Sequence, residues 1–250
     1  MRDARSDRPF VRVASRARHA EVMTTVLITG ASRGLGARTA ERLAEQGCTV
    51  FAGIRRPSRG ASAGGGLDIR PITLDVLDND SAAAAAQHLH EAVGSLDVLI
   101  NNAGIPGTWA PAEDIQPDDF HDVFATNVLG PVRVTHAFVP LLWRGNQPRL
   151  VMVSSGMGSL NLQATDDTYR DIAHLPYPAS KAALNMLTVQ YIKALPDLLV
   201  TAVDPGLTAT EFTNQTGHSI DEGSDAIVTA ALDTTGPTGR FLDRHCVTPW

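Results

Sequence analysis

From residue 24 onward, short runs of β-branched and aliphatic residues alternate with longer stretches whose apolar positions recur every three or four residues. The short runs predict strands over Val26 to Thr29, Thr49 to Gly53, Arg70 to Asp75, Asp97 to Asn101, Arg149 to Ser154, Leu199 to Val203 and Arg240 to Leu242. A first helix is marked by Gly36, Ala40, Leu43 and Ala44, with Gly47 placed to cap its end. Ala182, Ala183, Met186, Leu187 and Tyr191 share one side of a second helix over Tyr177 to Ala194, which Pro196 ends. The Ala82 to Ala86 run also reads as helix, and a long helix is predicted over Asp118 to Leu142, where Pro131 and Pro140 can kink or divide it. Strands separated by helical stretches are the pattern of βαβ units, so the expected class is α/β, a doubly wound fold with a single seven-stranded parallel sheet flanked by helices.

Two stretches break this pattern. Residues 57–66, PSRGASAGGG, are small and flexible, so the crossover helix usual between second and third strands is expected to be short or absent. Residues 1–22 carry six Arg and three acidic residues without a sustained apolar period, and are expected to be a disordered or loosely attached tail. Met23, immediately before the ordered pattern, is an alternative start. The domain expectation is therefore the tail followed by one catalytic domain over residues 23–250.

Composition narrows the function classes. The formal net charge of −6 argues against a nucleic-acid or anionic-membrane partner. No apolar run reaches the ~20 residues that span a bilayer, and the N-terminus lacks the apolar core of a secretory signal. Two distant cysteines, Cys48 and Cys246, have no paired spacing, and the eight histidines form no metal-ligand motif. A cytoplasmic protein without a metal requirement is expected.

The most informative stretch is Thr29-Gly30-Ala31-Ser32-Arg33-Gly34-Leu35-Gly36, a glycine-rich turn between the first strand and the first helix. Glycines there permit a tight turn and close approach of a pyrophosphate to the backbone, which the helix N-terminus then faces. An NAD-preferring site places an acidic residue about 20 positions further on. Here the second strand runs instead into Ile54-Arg55-Arg56. Arg33 and Arg55, with Arg56 in reserve, are candidates to bind a 2′-phosphate bidentately, so NADP(H) is the expected cofactor.

The TGxxxGxG spacing resembles the short-chain dehydrogenase/reductase family, and the resemblance continues in order along residues 24 to 243. Asp75-Val76 resembles the pair that contacts adenine, and Asn101-Asn102-Ala103-Gly104 matches the family's NNAG signature. Tyr177-Pro178-Ala179-Ser180-Lys181 matches its YxxxK motif, which puts i and i+4 side chains on one helix face. Tyr169 is a poorer candidate, because its i+4 partner is Ala173, and is assigned to packing or substrate contact. Ser155 matches the serine that holds the substrate oxygen; Ser154 is its rival, and Gly158 three positions on favours Ser155. Asn127 in Asn127-Val128-Leu129-Gly130 matches the asparagine that holds water near the lysine, and Pro205-Gly206-Leu207-Thr208-Ala209-Thr210 resembles the PGxxxT segment beside the nicotinamide.

The resemblance implies a Rossmann fold and a catalytic group of Asn127, Ser155, Tyr177 and Lys181. It assigns the cofactor to Gly30, Ser32, Arg33, Gly34, Leu35, Gly36, Arg55, Asp75, Val76, Asn102, Ala103, Gly104, Tyr177, Lys181, Pro205, Gly206, Thr208 and Thr210. The implied reaction reduces a ketone or aldehyde carbonyl of a small molecule, with Tyr177 as proton donor and Lys181 also holding the nicotinamide ribose. A positive neighbour is expected to lower the phenol pKa. The segment between Ser155 and Tyr177 is expected to shape specificity, residues 211–222 to form a mobile lid, and the chain to be a homodimer or homotetramer. A dehydrogenase or isomerase, or a non-enzymatic NADP-sensing protein, remains open on the same scaffold.

Overall fold

In a computed structural model, which describes residues 23–56 and 66–250, the seven runs form one parallel sheet ordered β3-β2-β1-β4-β5-β6-β7. The strands are β1 (Thr25–Thr29), β2 (Thr49–Ile54), β3 (Ile69–Thr73), β4 (Val98–Asn101), β5 (Arg149–Val153), β6 (Leu199–Val203) and β7 (Arg240–Leu242). Strands β1, β4 and β5 are buried along their whole length, as expected of a sheet covered on both faces. Their near-continuous apolar runs, rather than an alternating pattern, follow from that double burial.

The helices α1 (Gly34–Glu45) and α7 (Ile220–Leu232) cover one face, where Leu43, Ile227 and Ala230 meet Val26, Ile28 and Val151. On the other face Leu27, Leu99 and Met152 pack with Leu89, Phe138 and Leu184, which come from α2 (Asn79–Val93), α4 (Gly130–Leu142) and α6 (Pro176–Ala194). Strand order reverses between β1 and β4, and a crevice opens at such a switch point beyond the carboxyl ends of the strands.

The long helix expected over residues 118–142 is divided. It consists of α3 (Asp118–Phe124), a π-helical segment over Ala125–Leu129, and α4. The break lies upstream of Pro131, whose ring has no N–H to donate to the carbonyl of Asn127 four residues earlier. Helix α1 begins two residues earlier than its periodicity suggests, and β3 ends at Thr73 rather than Asp75. Asp75 instead accepts the Leu77 N–H at 3.0 Å in a local turn. Residues 220–222 of the expected lid form the first turn of α7, capped reciprocally by Ser219 and Glu222. The tail at residues 1–22, and the expected absence of a helix at residues 57–65, lie outside the described residues. Among the described residues no helix is long and apolar enough to cross a membrane, and no three His, Cys, Asp or Glu side chains are grouped as metal ligands.

Candidate active site

The glycine-rich turn, the Asn101–Gly104 segment, the two serines and the Pro205–Thr210 segment lie at the carboxyl ends of β1, β4, β5 and β6 respectively, while Arg55 and Asp75-Val76 follow β2 and β3. The loop after β1 leads into α1 through Arg33, an extended residue whose side chain does not cap the helix, and the first turn holds no acidic residue. Its backbone N–H groups and the positive end of the helix dipole are therefore available to an anion. Gly34 has a φ of +56°, which a side chain would resist, and only Thr210 comes within 4 Å of where its Cβ would be. This open, donor-rich turn fits a pyrophosphate, as the glycine pattern implied.

Thr29 ties this turn to the next. Its hydroxyl accepts the N–H groups of Asn102 and Ala103, each at 3.0 Å, and its carbonyl accepts the Asn102 side-chain amide at 2.8 Å. Ser32 is exposed in the turn, whereas Leu35 and Val76 pack into the core. Arg33 does not stand free: it pairs with Glu211 just beyond Thr210, although both side chains are mostly exposed. Arg55 is exposed at the end of β2.

Around Tyr177 the structure brings four expected side chains into one neighbourhood. Asn127, buried in the π segment, accepts the Ile105 N–H at 2.9 Å and donates to the Ile105 carbonyl at 2.9 Å and to the Ser180 hydroxyl at 3.0 Å. Ser180 in turn donates to the Tyr177 carbonyl at 2.7 Å. Asn127 thus links the loop after β4 to the first turn of α6. Lys181 is buried; its Nζ donates to the Val153 carbonyl at 2.8 Å and sits 5.6 Å from the Tyr177 ring centre. Gly158 lets α6 come this close, because a Cβ there would lie 2.6 Å from the Lys181 carbonyl carbon.

The two serines after β5 are differently engaged. Ser154 is buried and donates to the Asn185 side-chain oxygen, whereas Ser155 is half-buried, accepts the Met157 N–H at 3.2 Å and lies beside the Tyr177 phenol. After β6, the Thr208 hydroxyl is spent on the carbonyls of Pro205 and Gly206 at 3.2 Å. Thr210 caps the short turn Glu211–Thr213 and lies against Gly34, so of the two threonines it is the one at the glycine-rich turn.

The electrostatics correct one expectation. Burial pushes the Tyr177 phenol above its usual value; the Ser155 hydrogen bond offsets this in part, and the negative charge of Asp204 adds to it. Burial lowers Lys181 to about 8, against the opposing pull of Asp204. Burial therefore outweighs the lysine at the phenol here, and the Lys181 ammonium, still charged at neutral pH, is directed to the Val153 carbonyl.

Sequence reasoning passed over several residues at this opening. Asp204, at the end of β6, is a carboxylate whose pKa is raised by burial, with the N–H groups of Gly206 and Gly156 working against the rise. His174, buried and with its pKa lowered by desolvation, stacks on Trp109 at 3.8 Å and lies 6.0 Å from the Tyr177 ring, while Phe212 meets Tyr177 edge-on at 5.5 Å. The Asp-Pro-Gly order was visible at positions 204–206, but a residue preceding a turn carries no signal of the side it faces. The aromatic wall comes from three separate segments and had no linear signature.

A parallel sheet of this order, with a donor-rich turn at its switch point and a tyrosine, serine and lysine gathered beyond β5, defines the Rossmann-type oxidoreductases. A family model described as short chain dehydrogenase matches residues 24–221, and the chain belongs to that family of oxidoreductases. It is 36% identical over 223 residues to a short-chain dehydrogenase of Penicillium roqueforti, covering 83% of this chain and 88% of the relative. Among solved structures it is similar to a carbonyl reductase of Pseudomonas aeruginosa PAO1, at 31% identity and a TM-score of 0.74, covering 91% of this chain and 100% of the other. It is also similar to an NADPH-bound carbonyl reductase from chicken fatty liver, at 26% identity and a TM-score of 0.78, over 91% and 99% of the two chains.

Proposed function

We propose that the chain is an NADPH-dependent carbonyl reductase in which Tyr177 donates the proton to the substrate oxygen. The observation that carries this reading is the gathering of the half-buried Tyr177 and Ser155 side chains beside the buried Lys181, whose Nζ lies 5.6 Å from the Tyr177 ring centre, with a donor-rich, uncapped helix start at the neighbouring switch point. Ser155 holds the carbonyl oxygen, and Tyr177 transfers its proton as negative charge develops there. The phenol is protonated at neutral pH, the state a general acid requires, while its burial by itself makes it a weaker acid. Lys181 places a positive charge under the phenol, which favours the phenolate left after transfer. Asn127 acts by position, fixing the loop after β4 against α6.

NADPH, when bound, would supply the hydride to the carbonyl carbon. The N–H groups at the start of α1, with Gly30, Gly34 and Gly36, would hold its pyrophosphate, and Asn102, Ala103 and Gly104 would lie along its path. Arg33 and Arg55 would hold the 2′-phosphate, for which Arg33 must exchange Glu211. The NADPH-bound carbonyl reductase among the similar structures supports this choice of cofactor and substrate class.

The test is to incubate the purified chain with NADPH or NADH and a panel of ketones and aldehydes, following nicotinamide absorbance. Consumption of NADPH in preference to NADH, with Tyr177→Phe inactive, supports the reading. Tight NADPH binding without turnover of any carbonyl would favour the sensing alternative.

A further inference from the structure

Strands β5 and β6 end side by side, Val153 against Val203, so the residues that follow them lie next to each other near Ser155. A Cβ built on Gly156 would lie 2.7 Å from Asp204 Oδ2 and closer still to the Tyr169 hydroxyl oxygen. Any side chain at 156 would drive the carboxylate and the hydroxyl apart; glycine lets them converge one residue from the serine that meets Tyr177. Asp204 is anchored by the Gly206 N–H at 2.9 Å. Asp204, Tyr169, Ser155 and Tyr177 are all partly exposed, so they can meet a molecule held in the same opening.

We propose that Asp204 and Tyr169 form a subsite for a hydroxyl group close to the substrate's reacting carbonyl, making hydroxyketones the preferred substrate class. This rests on the carbonyl-reductase reading above. A hydroxyl matches the pair because it both donates and accepts: it donates to the carboxylate and accepts from the Tyr169 O–H, which burial and Asp204 push up to about 12 and so keep protonated. An ammonium offers only donors and would add a second positive charge near Lys181. A hydrogen bond to a carboxylate is among the stronger polar contacts, and a site built around one rejects analogues that leave it unpaired.

The experiment compares kcat/KM for 2-hydroxyacetophenone, its methyl ether and acetophenone, using the full chain with NADPH, in the wild type, Asp204→Asn and Tyr169→Phe. The wild type is expected to prefer the hydroxyketone to the ether by roughly tenfold or more. Asp204→Asn is expected to lose most of that preference and Tyr169→Phe part of it. If Asp204→Asn does not fold, the Tyr169→Phe ratio carries the test. No preference in the wild type, or an equal fall for all three substrates in the variants, would overturn the proposal, the second outcome marking a purely structural role. Preference for 2-aminoacetophenone over the hydroxyketone would overturn the choice of hydroxyl. Failure of the reductase reading itself looks different, because then none of the ketones is consumed although NADPH is bound.

Discussion

At Tyr177, half-buried, and Lys181, buried, the protein holds two ionisable groups that burial shifts in opposite directions. Removing the phenol hydroxyl in Tyr177→Phe is expected to lower kcat by about 10²–10⁴-fold, with NADPH affinity within a few-fold of wild type by fluorescence titration. Lys181 loses its proton as pH rises through about 8, so its positive charge is present below that pH and absent above it. The rate of reduction is accordingly expected to fall on the alkaline side of pH 8. Asp204 raises Lys181, so Asp204→Asn should move that fall to lower pH, which a pH profile of kcat/KM would show; a limb that stays in place would separate it from Lys181. The tyrosine and lysine were legible from a five-residue motif because i and i+4 positions share a helix face. Asp204 was not, since its side depends on how β5 and β6 end together.

Individual elements carry the geometry on which these residues depend. Asn127 satisfies both backbone groups of Ile105 and reaches Ser180 on α6. Asn127→Ala would orphan those groups, at roughly 1–3 kcal/mol each where water does not replace the amide. A fall in urea midpoint and in kcat together is expected; a change in kcat alone would contradict the bridging role. Gly158→Ala would press a methyl group against the backbone at Lys181, costing about 1–3 kcal/mol as overpacking. A Gly158→Ala protein as stable and active as the wild type would show that α6 can shift without consequence. The periodicity of residues 118–142 revealed their helical character but not the π segment, because apolar spacing records which side is buried and is insensitive to one wider turn. The strands were legible because double burial makes them continuous apolar runs, and their ends were less so, as Asp75 shows by leaving β3 for a turn.

Across the whole molecule, the glycine-rich turn after β1 and the segment after β6 are joined by the Arg33–Glu211 pair. Exposed pairs of this kind contribute little, about 0–1 kcal/mol, so the pair is a weak competitor for an arginine proposed to bind phosphate. Glu211→Gln is expected to tighten NADPH binding by a few-fold while leaving NADH affinity nearly unchanged, measured by titration at fixed ionic strength; equal effects on both would remove Arg33 from 2′-phosphate recognition. The arginines were found by the lack of an acidic residue after β2, whereas their pairing was invisible because Glu211 lies 178 positions from Arg33. Reduction of a carbonyl by this chain is tested most directly with NADPH deuterated at nicotinamide C4, in separate samples for the two faces, followed by mass analysis of the alcohol formed from 2-hydroxyacetophenone. Deuterium on the carbinol carbon from one face only, lost in Tyr177→Phe, is the predicted result; an unlabelled product from both samples, or labelling that persists undiminished in Tyr177→Phe, would contradict it.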